Sequence, residues 1–338
     1  MCASMTTKDL GAAAFANCVD LAQARLGGEV LYCTDDFFAG KDNLIQEGRG
    51  IFIADKYTED GKWMDGWESR RKREEGYDYA ILKLGASGIV SGLDIDTNHF
   101  LGNHPPFASV DACCIDGDPD VETLQNAEWT EILSQAGLKL GSQNLFAVHY
   151  SDRVTHLRLN IYPDGGVARF RAYGRVTPNW DEAGKDAPMD LAALLNGGEV
   201  LACNDMFFGA KDNMIMPGDG VNMGDGWETR RKRDPGYDWS VIKLGAPGTL
   251  KKVIIDTKHF KGNYPDHACL EGLYADKPLR FHAGEKHEWT PILGESKLSA
   301  HKQHVFEELL AAGPFTHLRL RIYPDGGISR LRAWGLRE

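Results

Sequence analysis

The stretch MDGWESRRKR, Met64 to Arg73, returns as GDGWETRRKR, Gly224 to Arg233, with eight of ten positions identical and one Ser/Thr exchange. A charged run does not repeat so closely by chance, and its surroundings repeat with it. GEVL stands at Gly28 and Gly198, KDN at Lys41 and Lys211, GYD at Gly76 and Gly236, and KLGA at Lys83 and Lys243. Beyond them come IDT at Ile95 and Ile255, HF at His99 and His259, GN at Gly102 and Gly262, and EWT at Glu128 and Glu288. THLRL at Thr155 and Thr316 and IYPDGG at Ile161 and Ile322 close the series. The chain is a tandem duplication.

The spacing between copies locates their differences. GEVL recurs after 170 residues and DGWE after 160, so the first copy carries about ten extra residues between Asn43 and Asp65. That extra length, within EGRGIFIADKYTEDGKW, reads as a loop added to a shared framework and as a lid over a site. The expected domains are residues 1–177 and 178–338, each of a size that one hydrophobic core can hold. The polar, proline-containing segment GRVTPNWDEAGKDAP, Gly174 to Pro188, joins them.

With 42% hydrophobic and 26% charged residues, the composition is that of an ordinary globular protein, and no run approaches the ~18 apolar residues of a membrane span. The N-terminal MCASMTTKDLGAAAFANCVDLAQ lacks the basic and apolar regions of a secretory signal. A net charge of −11 argues against a nucleic-acid surface, since the basic residues cluster only in RRKR. Seven cysteines without a CxxC spacing read as free thiols of a reducing cytoplasm.

Each copy opens on a short apolar turn (VDLAQARL, MDLAALL) and a strand-like run, EVLYCT or EVLACN, before a Gly- and Asp-rich loop. After RRKR, the runs DYAILKLG and GIVSGLDIDT, with their counterparts DWSVIKLG and TLKKVIIDT, alternate as strands with turn residues between. LSQAGLKL and HVFEELLAAG are the best candidates for short helices. Each copy ends in two alternating strands about PDGG, read as a hairpin. Many short strands and few helices describe an all-β chain of two tandem antiparallel β-sandwiches.

In DFFAGKDNLI, GKWMDGWESRRKR, GYDYAILKLG, IDTNHFLGN and THLRLNIYPDGG the chain resembles the allantoicase (allantoate amidinohydrolase) family over nearly its whole length. More broadly each copy resembles the galactose-binding-like, discoidin-type jelly roll. The first resemblance implies two jelly-roll repeats in a cytoplasmic enzyme of purine and allantoin catabolism, hydrolysing allantoate to (S)-ureidoglycolate and urea. Two ureido groups share one carbon in allantoate, so expelling urea from it requires three things. A cation holds the carboxylate, an acid protonates the departing nitrogen, and a base activates water.

The repeated residues supply these types. Glu68 and Glu228, with His99 and His259, are the candidate acids and bases; Arg70, Arg71, Arg230 and Arg231 are the candidate carboxylate-binding groups. Lys41, Asn43, Lys211 and Asn213 are candidates for the ureido carbonyl. Asp96 with His99, and Asp256 with His259, invite a metal reading with a divalent ion such as manganese, which stays open. Trp67 reads as core, His156 and His317 as packed with a satisfied hydrogen bond, and Asp164 and Asp325 as turn residues. Two sites, or one built from both copies, remain alternatives, as does a homo-oligomer. The competing readings are a non-catalytic discoidin-like binding module and a ureide hydrolase of different specificity.

Overall fold

The computed structural model describes residues 15, 18–181, 184, 186–279, 281 and 287–338; Cys2 and most of the N-terminal stretch read above for a signal lie outside them. The chain forms two compact units that part between Pro178 and Asn179. Each is almost wholly antiparallel β-structure. Among the described residues no helix is long and apolar enough to cross a membrane.

One strand organises each unit. The runs DYAILKLG and GIVSGLDIDT, expected as two strands, are continuous as Asp78–Asp96. Its first part, to Lys83, pairs with Glu29–Cys33 on one edge and Val154–Tyr162 on the other. From Gly88 onward it pairs with Arg169–Val176, and at Gly92 to Asp94 with Leu145–Ala147. These strands are joined in one continuous eight-stranded antiparallel sheet. The long strand, with different neighbours along its two halves, carries it from one layer of the sandwich to the other, the layers being called the first and second sheet below. Phe107–Cys113 and Thr130–Gly137 extend the first sheet, and Val19–Asp20 extends the second. Gly85 and Gly88 permit the crossing, because a Cβ there would stand 2.7 Å from the Gly28 nitrogen and 2.2 Å from the Arg175 carbonyl oxygen. The second unit repeats the plan on Asp238–Asp256.

Two expectations are corrected here. The runs flanking PDGG do not form a hairpin. Val154–Tyr162 joins the first sheet and Arg169–Val176 the second, so PDGG carries the chain from sheet to sheet. LSQAGLKL and HVFEELLAAG are not helices either, because Thr130–Gly137 pairs with Phe107–Cys113 and Gln303–Phe306 with the long strand of the second unit. Partner strands decide the structure of such short ambiguous runs. Among the described residues the α-helix is Val121–Gln125, whose start is capped by Asp120 accepting from the Thr123 nitrogen at 2.8 Å.

Apolar alternation fills the core with Ile81, Leu82, Leu93, Ile95, Leu157, Leu159 and Phe170, all fully buried. Trp67 and Trp227 are buried as expected, and each indole nitrogen donates to a backbone carbonyl, of Asp35 or Asp205, at 2.8 Å. His156 and His317 lie buried with Nδ1 bonded to Thr155 and Thr316, and burial pushes both imidazoles down to about 4.

Candidate active site

The DGWE segment lies against the sheet-to-sheet crossing. Trp67–Glu68 pairs antiparallel with Gly166–Val167, and Trp227–Glu228 with Gly327–Ile328. From Trp67 to Arg70 burial alternates buried, half-buried, buried, exposed. Extended backbone turns successive side chains to opposite faces, so Glu68 and Arg70 emerge on the same side, with Cα atoms roughly 7 Å apart. The same alternation holds at Trp227 to Arg230.

The Glu68 carboxylate accepts a hydrogen bond from Asn103 Nδ2 at 2.6 Å, and Glu228 accepts one from Asn263. Burial pushes the Glu68 carboxyl above the usual carboxylate range, and the bond from Asn103 offsets part of that rise. Arg70 is fixed along one edge: its backbone nitrogen donates to Asp35 Oδ1 at 2.9 Å and Nε to Oδ2 at 2.7 Å. Its guanidinium lies 5.0 Å from the Phe37 ring centroid with 62% of the side chain exposed, so a face and an edge stay open to a ligand. Arg230 is held likewise by Asp205, over Phe207. Burial of Asp35 is outweighed by the backbone and side-chain bonds from Arg70, which hold its carboxyl below the usual range.

Beneath this surface runs a buried ion pair. Arg169 donates to Asp65 Oδ1 at 2.9 Å and to the Asp65 carbonyl at 3.1 Å. Arg330 contacts Asp225 in the same way. These pairs fasten the turn before each glutamate to the strand after PDGG.

The other expected site residues are placed less centrally. Arg71 and Arg231 are exposed and make no hydrogen bond or ion pair with any described residue. Lys41 pairs with its neighbour Asp42, and Lys211 with Asp212 and the Val200 carbonyl. The amides of Asn43 and Asn213 donate to the Gly66 and Gly226 carbonyls at 3.0 and 3.1 Å, so they brace the DGWE turn. His99 and His259 sit in the left-handed region, with φ of 68° and 72°. The His99 ring stacks on Phe52 of the longer loop, 5.6 Å between centroids. His259 instead bonds through Nε2 to the Gly220 carbonyl at 2.7 Å, while its backbone nitrogen donates to His301. Among the described residues no hydrogen bond joins either imidazole to a glutamate.

The metal reading fits poorly. Both Asp96 oxygens accept from Arg49, at 2.7 and 3.0 Å, and the Asp256 oxygens accept from Gln303 and the Lys258 nitrogen. The Arg49 guanidinium bonds both oxygens of Asp96 and balances its charge, and with the Asn98 nitrogen on Oδ1 it takes up about three of the carboxylate's four lone-pair sites. Among the described residues no group of three or more His, Cys, Asp or Glu is placed to hold a metal ion. Asp164 and Asp325 are more than turn residues: each accepts from the backbone of the RRKR segment, at Lys72 and Lys232.

Asn103 and Asn263 are the residues that reading the sequence for acids, bases and cations passes over. A signal exists all the same, because both stand 35 residues after their glutamate.

The duplicated sandwich, with its glutamate, arginine and asparagine at matching places, marks a repeat family rather than an isolated fold. The family model described as the allantoicase repeat matches residues 19–177 and again 189–338. A relative from Photobacterium profundum, described as a probable allantoicase, is 50% identical over 96% of this chain and 98% of its own. Another from Burkholderia mallei, described as probable allantoicase 1, is 49% identical over 94% of each chain. The solved allantoicase of Saccharomyces cerevisiae superposes with a TM-score of 0.79 at 36% identity, covering 99% of this chain and 100% of that one. The chain belongs to the allantoicase family.

Proposed function

We propose that the protein hydrolyses allantoate to (S)-ureidoglycolate and urea, and that each repeat performs the reaction at its glutamate, beside the arginine two residues on. Membership of the allantoicase family carries the reaction. The site rests on one observation: a half-buried carboxyl with a single amide donor and an open guanidinium on the same face recurs in both repeats.

In this reading Arg70 holds the substrate carboxylate through its free edge, as the planar fork of arginine suits a carboxylate. The lone pair on one ureido nitrogen pushes toward the central carbon while the bond from that carbon to the other ureido nitrogen breaks. Glu68, whose carboxyl burial raises above the usual carboxylate range, gives a proton to the departing nitrogen, and urea leaves. Water then adds to the carbon–nitrogen double bond and returns a proton to the Glu68 carboxylate. The product carries the new hydroxyl, and the enzyme is restored. Glu228 and Arg230 have the same parts in the second repeat.

We also infer a cytoplasmic setting, supported by Cys33, Cys113, Cys114, Cys203 and Cys269 remaining as thiols. Self-association is supported by the apolar side chains exposed at Met206, Phe207, Phe208 and Val221, and sedimentation of the purified chain reads it directly.

The first test is urea release from allantoate by purified protein, with and without prior chelation. Release that persists after chelation is the expected result. Release that stops with the chelator and returns with manganese would restore the metal reading. Failure to release urea under any condition would favour the non-catalytic binding module.

A further inference from the structure

We propose that Asn103 and Asn263 are positioning residues for the hydrolysis, each orienting the carboxyl of its glutamate, and that the PDGG turns dock the loops that carry them. The inference rests on the glutamates being the acid and base of the reaction.

The geometry is the same twice. Asn103 Nδ2 donates to Glu68 Oε1, and Asn263 Nδ2 to Glu228 Oε1. An amide donor on one carboxyl oxygen fixes the plane and rotation of the group and leaves the second oxygen to give a proton and take it back. Neither pair is needed to satisfy a deeply buried atom, for Glu68 and Glu228 are only half-buried and Asn103 is exposed. A bond of that kind, open to water, contributes little to stability.

The docking explains the two glycines after Asp164 and Asp325. Gly166 donates its backbone N–H to the Asn103 carbonyl at 2.7 Å, and Gly327 donates to Asn263 at 2.8 Å. Gly165 has φ of 137° and Gly326 138°, where a side chain is strained; a Cβ on either would stand 2.7 Å from the asparagine carbonyl oxygen. On Gly166 or Gly327 it would stand 2.0 Å from the Phe100 or Phe260 ring. The same two glycines thus meet the asparagine loop on one side and, through Gly166–Val167 and Gly327–Ile328, the DGWE segment on the other. They set the distance between amide and carboxyl.

Steady-state urea release by the full chain tests this, comparing wild type with three double variants: Asn103→Ala with Asn263→Ala, Asn103→Asp with Asn263→Asp, and Glu68→Gln with Glu228→Gln. The alanine pair is expected to lower kcat about 10- to 100-fold with little change in KM. The alkaline limb of its pH profile, where Glu68 has lost the proton it gives to the leaving group, should move to higher pH, since the carboxylate loses a donor that favours its charged form. The aspartate pair, which keeps the shape, should fall further at alkaline pH, where two carboxylates face each other, and recover toward the alanine pair as the medium is acidified. Wild-type kcat with an unmoved alkaline limb in the alanine pair would overturn the proposal. So would a loss of kcat with the limb unmoved, the signature of a merely structural role. If the glutamine pair alone is inactive while the alanine pair is normal, only the asparagine role fails. If the glutamine pair still turns over, the acid–base reading fails and this inference with it.

Discussion

The mouths of the two repeats carry the same set of side chains and differ around it. Both carry the glutamate with its asparagine, the arginine on its aspartate and phenylalanine, and the buried Asp–Arg pair below. The first repeat adds a small hairpin, Tyr57–Thr58 with Gly61–Lys62, which leaves Ile51, Phe52, Ile53 and Tyr57 exposed and places Phe52 on His99. The second has the short turn Met223–Asp225 instead, and His301 replaces Phe52 as the ring beside the matching histidine. The loops changed length, partner and chemistry while the glutamate, asparagine and arginine kept their geometry. What stays fixed among changing neighbours is the set to which the proposed reaction is assigned, and the loops are what surrounds it.

The equivalence of the repeats breaks first at the glutamates. Glu68→Gln or Glu228→Gln alone should leave about half the urea release, and the double variant should lose at least about a thousandfold in kcat. If either single variant abolishes release, the two mouths do not work independently. Next in size is the Asp–Arg pair: Arg169→Met and Arg330→Met should each cost about 3–5 kcal/mol in denaturant unfolding, because each strands a buried or nearly buried carboxylate. A marked inequality between them would show that the two foundations differ.

A sharper asymmetry sits at Asp94, which the second repeat replaces with Ile254. Burial, with Asp96 beside it, pushes the Asp94 carboxyl up to about 7, and its Oδ1 has no hydrogen-bond partner. A carboxyl raised in the folded state stabilises fully below its unfolded value, and that contribution is lost as the pH climbs to about 7. Asp94→Ile should therefore gain on wild type by on the order of 2 kcal/mol more at pH 8 than at pH 4. Equal gains at the two pH values would place the cost elsewhere. Smaller again, Arg70→Ala with Arg230→Ala should raise KM for allantoate about tenfold, provided the guanidinium holds the carboxylate. Least of all, replacing the hairpin with the second-repeat turn should change kcat less than about threefold; a larger loss would make the hairpin part of the site.

Much of this was legible in the residues. Repetition gave the two units, alternation gave the strands, and Trp67 sits in the core where its neighbours place it. The hairpin about PDGG was misread because local sequence records alternation but not which sheet a strand joins, and that choice is made by the distant strand Asp78–Asp96. Gly85 and Gly88 look like turn residues for the same reason; their smallness serves a close approach to other backbone. Asn103 was missed because its contact with Glu68 depends on two loops meeting. Lys41 and Asn43 carried suitable chemistry but answer to nearer partners, Asp42 and the Gly66 carbonyl.

The strand common to both sheets also bears on how each repeat comes apart. Neither sheet can release Asp78–Asp96 without stripping the other of its central member, so partial opening that spares one layer has no stable resting point. Each repeat should accordingly unfold as one cooperative unit, and slow hydrogen exchange should run along the whole strand through Gly85 and Gly88 rather than stop at the crossing.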